Sequence, residues 1–174
     1  LTQKEEGVVV VQLQEFFDYK NKLMEHLLTN KDIVHLINDE IKLEDAQELA
    51  YKQVFPCEYI PETLHDGSTF VCFDVDVQRA PNKTYLLPTI YVWVFAHRSR
   101  LRLPEGGVRT DALCHEICKQ INGSKEYGLG ELDLFCVKRF APATDYQGKV
   151  MTFYAKDFNR LHNPNQYIPT NRKA

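Results

Sequence analysis

Asp74 and Asp76 alternate with Val75 and Val77 in TFVCFDVDVQR. Both carboxylates therefore point to one face of a strand, where two acids could hold Mg²⁺ for phosphodiester hydrolysis. That chemistry needs further acidic ligands and a lysine converging from the next strand, and no E-x-K pattern follows downstream. Alternation alone accounts for the pair as the solvated face of a half-buried strand. Cys114, His115 and Cys118 pose a zinc question. In a helix the spacing of four places the two thiols on the apolar stripe of Leu113, Ile117 and Ile121, while His115 points elsewhere, so buried, reduced, metal-free cysteines are expected.

The stretch INGSKEYGLGELDLF, Ile121 to Phe135, raises the question of a phosphate-binding loop. Such a loop leaves a strand and opens a helix, whose first turn offers free N–H groups and a positive dipole end. Here the glycines follow a helix-like run and precede a strand-like run. The loop thus faces helix carbonyls and a negative dipole end, which repel phosphate. The spacing G-x4-G-x-G also departs from the dinucleotide and Walker patterns. Gly123 reads as a helix stop, and Gly128 and Gly130 as backbone that must bend or sit close to another chain. Neither Gly-x-Ser-x-Gly nor His-Glu-x-x-His occurs. Arg98, Arg100 and Arg102 form a basic loop that could meet an acidic partner or phosphate, or simply be solvated. No catalytic residue, cofactor or metal site is expected.

The elements that position these residues follow from periodicity. Leu13, Phe16, Phe17, Leu23, Met24, Leu27 and Leu28 keep the three-and-four spacing of an amphipathic helix. Asn30 interrupts, and KDIVHLI restarts a short helix. Residues 42–68 read as a long irregular connection with Pro56, Pro61 and the turn pair Asp66-Gly67. TFVCFDVDVQR predicts a strand burying Val71, Phe73, Val75 and Val77 against a polar face of Cys72, Asp74, Asp76 and Gln78. TYLLPTIYVWVFAH, apolar on both faces, predicts an interior strand, with Pro88 placing its first part at an edge or bulge. RTDALCHEICKQI predicts a helix capped by Thr110 or Asp111 and stopped by Asn122-Gly123. GELDLFCVKRF and GKVMTFYAKDF are two further strands joined by APATDYQ.

The expected fold is a single α/β (α+β) domain over residues 1–158. It has N-terminal helices and a mostly antiparallel four-stranded sheet, with a helix between two strand pairs. Residues 159–174, rich in Asn and Pro, form an extended tail. At 174 residues one core suffices, since a domain of about 150 residues buries roughly 70% of its unfolded surface. A content of 44% hydrophobic residues is an ordinary globular value, and a net charge of −3 argues against a surface built wholly to neutralise nucleic acid. The five cysteines are odd in number and widely spaced, unlike a disulfide scaffold. The chain begins on Leu1 rather than Met, which allows a longer or processed start. Its VVVV run is too short for a signal core or a membrane span, so a cytosolic protein as made is expected.

Over roughly residues 12–159 the order of elements, with FDVDV, IYVWVFAHRSRL, RTDALCHEI, INGS, GLGELDL, RFAP, YQGKVMTF and KDFN, resembles the tail terminator or tail-completion proteins of tailed bacteriophages. The resemblance implies a ring-forming subunit, commonly a hexamer, that caps the tail tube and joins it to the head connector. It implies no catalytic residues. The partners would be further copies of the chain, the tail tube protein and connector or neck proteins, with genomic DNA able to pass through the ring and no membrane. The location would be the virion neck, after assembly in the host cytoplasm. Arg98, Arg100, Arg102, Gly128, Gly130, Asn165 and Tyr167 are then the candidate interface residues. Two other classes remain open: a metal-dependent nuclease using Asp74 and Asp76, and a monomeric adaptor domain.

Overall fold

A computed structural model describes residues 6–60, 67–79 and 84–158, with side chains from residue 14 onward apart from those of Arg79 and Phe158. The first helix, α1, runs Glu6–Thr29, and α2 follows at Lys31–Ile37. Asn30 between them is a cap as well as a break. Its side-chain oxygen accepts from the N–H groups of Asp32 and Ile33 at 3.0 and 3.3 Å, two donors that the first turn of α2 would otherwise leave unpaired. α1 buries Phe16, Tyr19, Leu23, Leu27 and Leu28. Phe17, expected on the same stripe, is 55% exposed, because one residue's step turns it about 100° from Phe16.

The connection after α2 is more ordered than its prolines suggested. A 3₁₀ helix spans Leu43–Leu49, burying Ala46 and Leu49, and a two-residue strand β1, Val54–Phe55, runs parallel to β2. The long strands are β2 (Thr69–Arg79), β3 (Tyr85–His97), β4 (Asp133–Phe140) and β5 (Tyr146–Tyr154), with a short β6 at Asp157–Phe158. α3, Arg109–Ile121, lies between the two strand pairs in the chain. The six strands make one sheet in the order β1-β2-β3-β5-β4, antiparallel apart from β1, with β6 beside the start of β3. The domain is therefore α+β.

Pro88 lies neither on an outer strand nor at a bulge. It pairs with Val77 on one side, and on the other its carbonyl accepts from Ala155 N–H at 2.9 Å. N–H and C=O of a strand residue point the same way, so the donor that proline lacks faces the break between β5 and β6. The strand expected through residue 158 splits there into two. Gly148 is required by close approach: opposite Phe95 in the β3–β5 register, a Cβ would overlap the Val94 carbonyl and the Phe95 backbone.

All three α helices pack on one side of the sheet. Val71, Phe73, Ile90, Val92, Val94, Met151 and Phe153 meet Leu23, Leu27, Ile33, Leu113, Ile117 and Ile121 there, all wholly buried. Each such side chain contributes about 1.5–3 kcal/mol by leaving water. α3 starts one residue before the expected cap. Val108 is its N-cap, with no side-chain cap bond, and Arg109 and Thr110 are buried in its first turn. Asp111 sits inside the helix, near its positive end, 3.4 Å from Lys149.

Candidate functional site

The second face of the sheet is divided. At one end Phe70, Cys72, Phe95 and Tyr146 form a small core under Phe55, Phe140 and Ala143. Cys72, read from alternation as part of a polar face, is fully buried in it. Burial pushes its thiol up to about 12, against the Tyr59 carbonyl that accepts from it. Past that cluster, against which Trp93 also packs, the face is partly open: Tyr91 and Trp93 are half-buried, and Thr89 and Thr152 are buried. Tyr91 and Trp93, two residues apart on β3, stack at 5.7 Å. Tyr154 on β5 packs on Phe135 at 4.8 Å. Glu58, Asp74 and Asp76 edge a shallow pocket of about 260 Å³ floored by Tyr91 and Trp93. Burial and the Asp76 carboxylate hold the Tyr91 phenol above its ordinary value, so it stays a hydrogen-bond donor.

The two aspartates share this face but not a function as a pair. Asp74 is 2.6 Å from Lys20 of α1 and accepts from its own following N–H, whereas Asp76 is exposed. Among the described residues no group of three or more His, Cys, Asp or Glu has the geometry to hold a metal ion. All five cysteines are free. Cys114 is buried, its thiol pushed up to about 12 by desolvation, while Cys118 is half-buried rather than sealed in, and His115 is exposed.

The glycine loop is a clamp on α1. Asn122 ends α3, Gly123 N–H donates to the Leu132 carbonyl at 2.7 Å, and Asn122 Oδ1 accepts from Leu134 N–H at 2.7 Å. Tyr127, which no motif singled out, is wholly buried between them. Its hydroxyl lies 3.1 Å from His26 Nδ1, and His26 Nε2 lies 3.1 Å from Glu126. Gly128 has φ +140°, and a Cβ there would come within 2.9 Å of the Lys156 carbonyl. Its closeness is to its own chain. Gly130 has open space around it and no such requirement.

The basic loop divides too. Arg98 is exposed and pairs with Asp145 at 3.2 Å. Arg100 is partly exposed but held by its own chain, donating to the Gly67 carbonyl at 2.9 Å and pairing with Asp39 at 3.3 Å. Arg102 is exposed, its backbone bridged to Val108. The more important arginine was missed. Arg109, its side chain 4% exposed, meets Asp39 at 3.2 Å and donates to the carbonyls of Leu36 and Arg100 at 2.9 Å. Burial pushes the Asp39 carboxyl up, but a hydrogen bond from its own backbone, the Arg109 side-chain hydrogen bond and the charges of Arg109 and Arg100 together outweigh this and hold it below the usual range. The only hint in sequence is an arginine opening a helix whose stripe is otherwise apolar. Asn165 and Tyr167 lie outside the described residues.

Among the described residues no helix is long and apolar enough to cross a membrane. The fold and its surfaces define a small α+β domain with one sealed sheet face and one partly open face. The chain belongs to the YomW family, whose model matches residues 22–155. The family name is phage-derived and points to a phage protein. No curated protein matches the sequence.

Proposed function

We propose that this chain is a structural virion protein of the tail terminator kind, a subunit that closes into a ring, caps the tail tube and joins it to the head connector. The role is one of assembly rather than catalysis. The observation that carries the reading is the outer margin of the sheet. Among the described residues β4 pairs with β5 alone. It presents Phe135 at 64% and Val137 at 45% exposure, with Leu129 just before it at 58%. An outer strand with exposed apolar side chains can pair with a foreign chain unless something covers it, and here Asp133, Lys138, Arg139 and a bulge between Leu134 and Cys136 restrict which chain that can be. In a ring, the next subunit would do so through a head-to-tail interface. The phage-derived family name and the order of helices and strands agree with this role. Arg98 and Arg102, both exposed, remain available to connector or tube proteins, while Arg100 is removed from that set by its internal bonds.

Mass measurement of the intact protein under native conditions, alone and with its tail tube protein, tests the proposal. A closed ring, most simply a hexamer, is expected, and a Val137→Lys change in the β4 margin should shift it towards monomer without changing the melting curve. A protein that stays monomeric in both conditions would replace this reading by the monomeric adaptor. Chelator-sensitive cleavage of DNA, lost on Asp76→Asn, would replace it by the nuclease.

A further inference from the structure

Among the described residues the exposed large apolar side chains gather at two places. Leu129, Phe135, Val137 and Tyr154 lie at the β4 margin, and Leu43, Tyr51, Tyr59 and Ile60 lie on the stretch that carries the 3₁₀ helix and β1; only Phe17 and Val108 lie elsewhere. β1 and β4 are the first and last strands of the sheet, about 19 Å apart across its strand spacings. A head-to-tail contact needs two different patches on each copy, one for each neighbour. We infer that the second margin, residues 43–60, is the surface that covers β4 of the neighbouring copy. The inference rests on the ring reading and names the half of the contact which that reading leaves open.

Charge fits the two margins together. Over residues 40–60 the exposed acids Glu40, Glu44, Asp45, Glu48 and Glu58 outnumber the exposed Lys42 and Lys52. Lys42 and Lys52 pair with Glu44 and Glu48 at 3.7 and 3.6 Å, which leaves Glu40, Asp45 and Glu58 as excess negative charge. On β4 the exposed Lys138 and Arg139 follow Val137 directly, while Asp133, the one acid of that strand, stands at its other end. Asp45 and Glu48, three apart in a 3₁₀ helix, share one face. Tyr51 supplies the anchor. It is 70% exposed at φ +59°, and among the described residues it is the one non-glycine residue with a positive φ. Strained backbone that holds a bulky side chain out in solvent points to a surface that binds, and tyrosine is among the residues that carry most of the energy of an interface. Self-pairing of two β4 strands, with Asp133 of each against Arg139 of the other, would cover one margin and leave Tyr51 and its neighbours bare. The head-to-tail contact covers both.

Native mass is measured, alone and with the tail tube protein, on the natural chain, on a β4 variant with Lys138→Glu and Arg139→Glu, on a second-margin variant with Asp45→Lys and Glu48→Lys, and on the chain carrying all four changes. Each two-residue variant sets like charges against each other and should raise the concentration for half-assembly about tenfold or more. The chain with all four changes should assemble again, and so should an equimolar mixture of the two variants, whose copies can alternate around a ring of even number. Tyr51→Gly relieves the backbone and removes the anchor, so it should melt at or above the temperature of the natural chain while assembling severalfold less well. If the natural chain forms a ring that the second-margin variant leaves intact, or if neither the mixture nor the four-change chain restores it, this placement of the contact is wrong and the ring reading stands. A dimer that responds to the β4 variant and ignores the second-margin variant would show β4 self-pairing and overturn both. A natural chain that stays monomeric in both conditions also removes both. All the changed side chains are exposed, their surface ion pairs add little to stability, and an unchanged melting curve for the charge variants checks that the fold is intact.

Discussion

The two faces of this sheet are built from the same strands, yet they behave as different materials. On β2 and β3 the residues turned to the helices, Val71, Phe73, Ile90, Val92 and Val94, are wholly buried. Their sequence neighbours Asp74, Tyr91 and Trp93 line a shallow open pocket on the other side. The covered side holds the domain together, and the half-covered side keeps aromatic and acidic groups within reach of solvent. The difference lies less in the strands than in what packs on them: three α helices on one side and, among the described residues, the cluster of Phe55, Phe70, Trp93 and Tyr146 at one end of the other.

The comparison is broken most severely by charging the covered face. Ile117→Asp would bury an unpaired carboxylate against Leu113 and the sheet, at a cost of several kcal/mol, about the whole stability margin. No soluble, cooperatively melting protein is expected, and recovery of one would place α3 elsewhere. Next comes the Asp39–Arg109 lock at the edge of the helix layer. Asp39→Asn leaves Arg109 its carbonyl partners but no counter-charge, and should cost on the order of 2 kcal/mol in denaturant unfolding at neutral pH. Because the folded carboxyl of Asp39 is held below its ordinary value, its contribution is present above about pH 4 and lost as pH falls through the lower folded value. The gap between wild type and Asp39→Asn should therefore close in acid. A gap that is constant with pH would show that shape, rather than charge, makes the lock.

Thiol labelling sharpens the contrast without changing stability. Cys57 is exposed, whereas Cys72 and Cys114 are buried with thiols pushed up to about 12. Cys57 should react with a disulfide reagent in the native state, and the two buried thiols only as fast as the protein opens. Rapid native labelling of Cys72 would mean that the small second core is not closed. The smallest effect belongs to the open margin. Phe135→Ser removes the contact with Tyr154 at a cost of about 1 kcal/mol or less, so its melting curve should nearly overlay the wild type while its assembly state changes.

Much of the fold was legible along the chain. The alternation in TFVCFDVDVQR and the three-and-four spacing of LMEHLL and ALCHEI carried strand, helix and buried stripe with them, because each is a period of a single element. The glycines between α3 and β4 were correctly read as following a helix end rather than opening one. Less legible was the stretch 42–60, where a 3₁₀ helix and a parallel strand of two residues leave almost no period to detect. Of the arginines in the basic loop, Arg98 and Arg102 are exposed, whereas Arg100 pairs with Asp39, a partner sixty-one residues away.

Sequence by itself determined the long helices and strands, their order and most of the side each turns to the core, since those depend on neighbours a few positions apart. Tertiary structure alone decided that Arg109 would be buried against Asp39, seventy residues distant, and that Tyr127 would reach His26 from across a loop. It also decided which end of the second face Phe70 and Tyr146 would close. These outcomes depend on where backbones come to rest in space. A buried arginine is tolerable only where a carboxylate and two carbonyls converge on it, and no local pattern of residue types encodes that convergence.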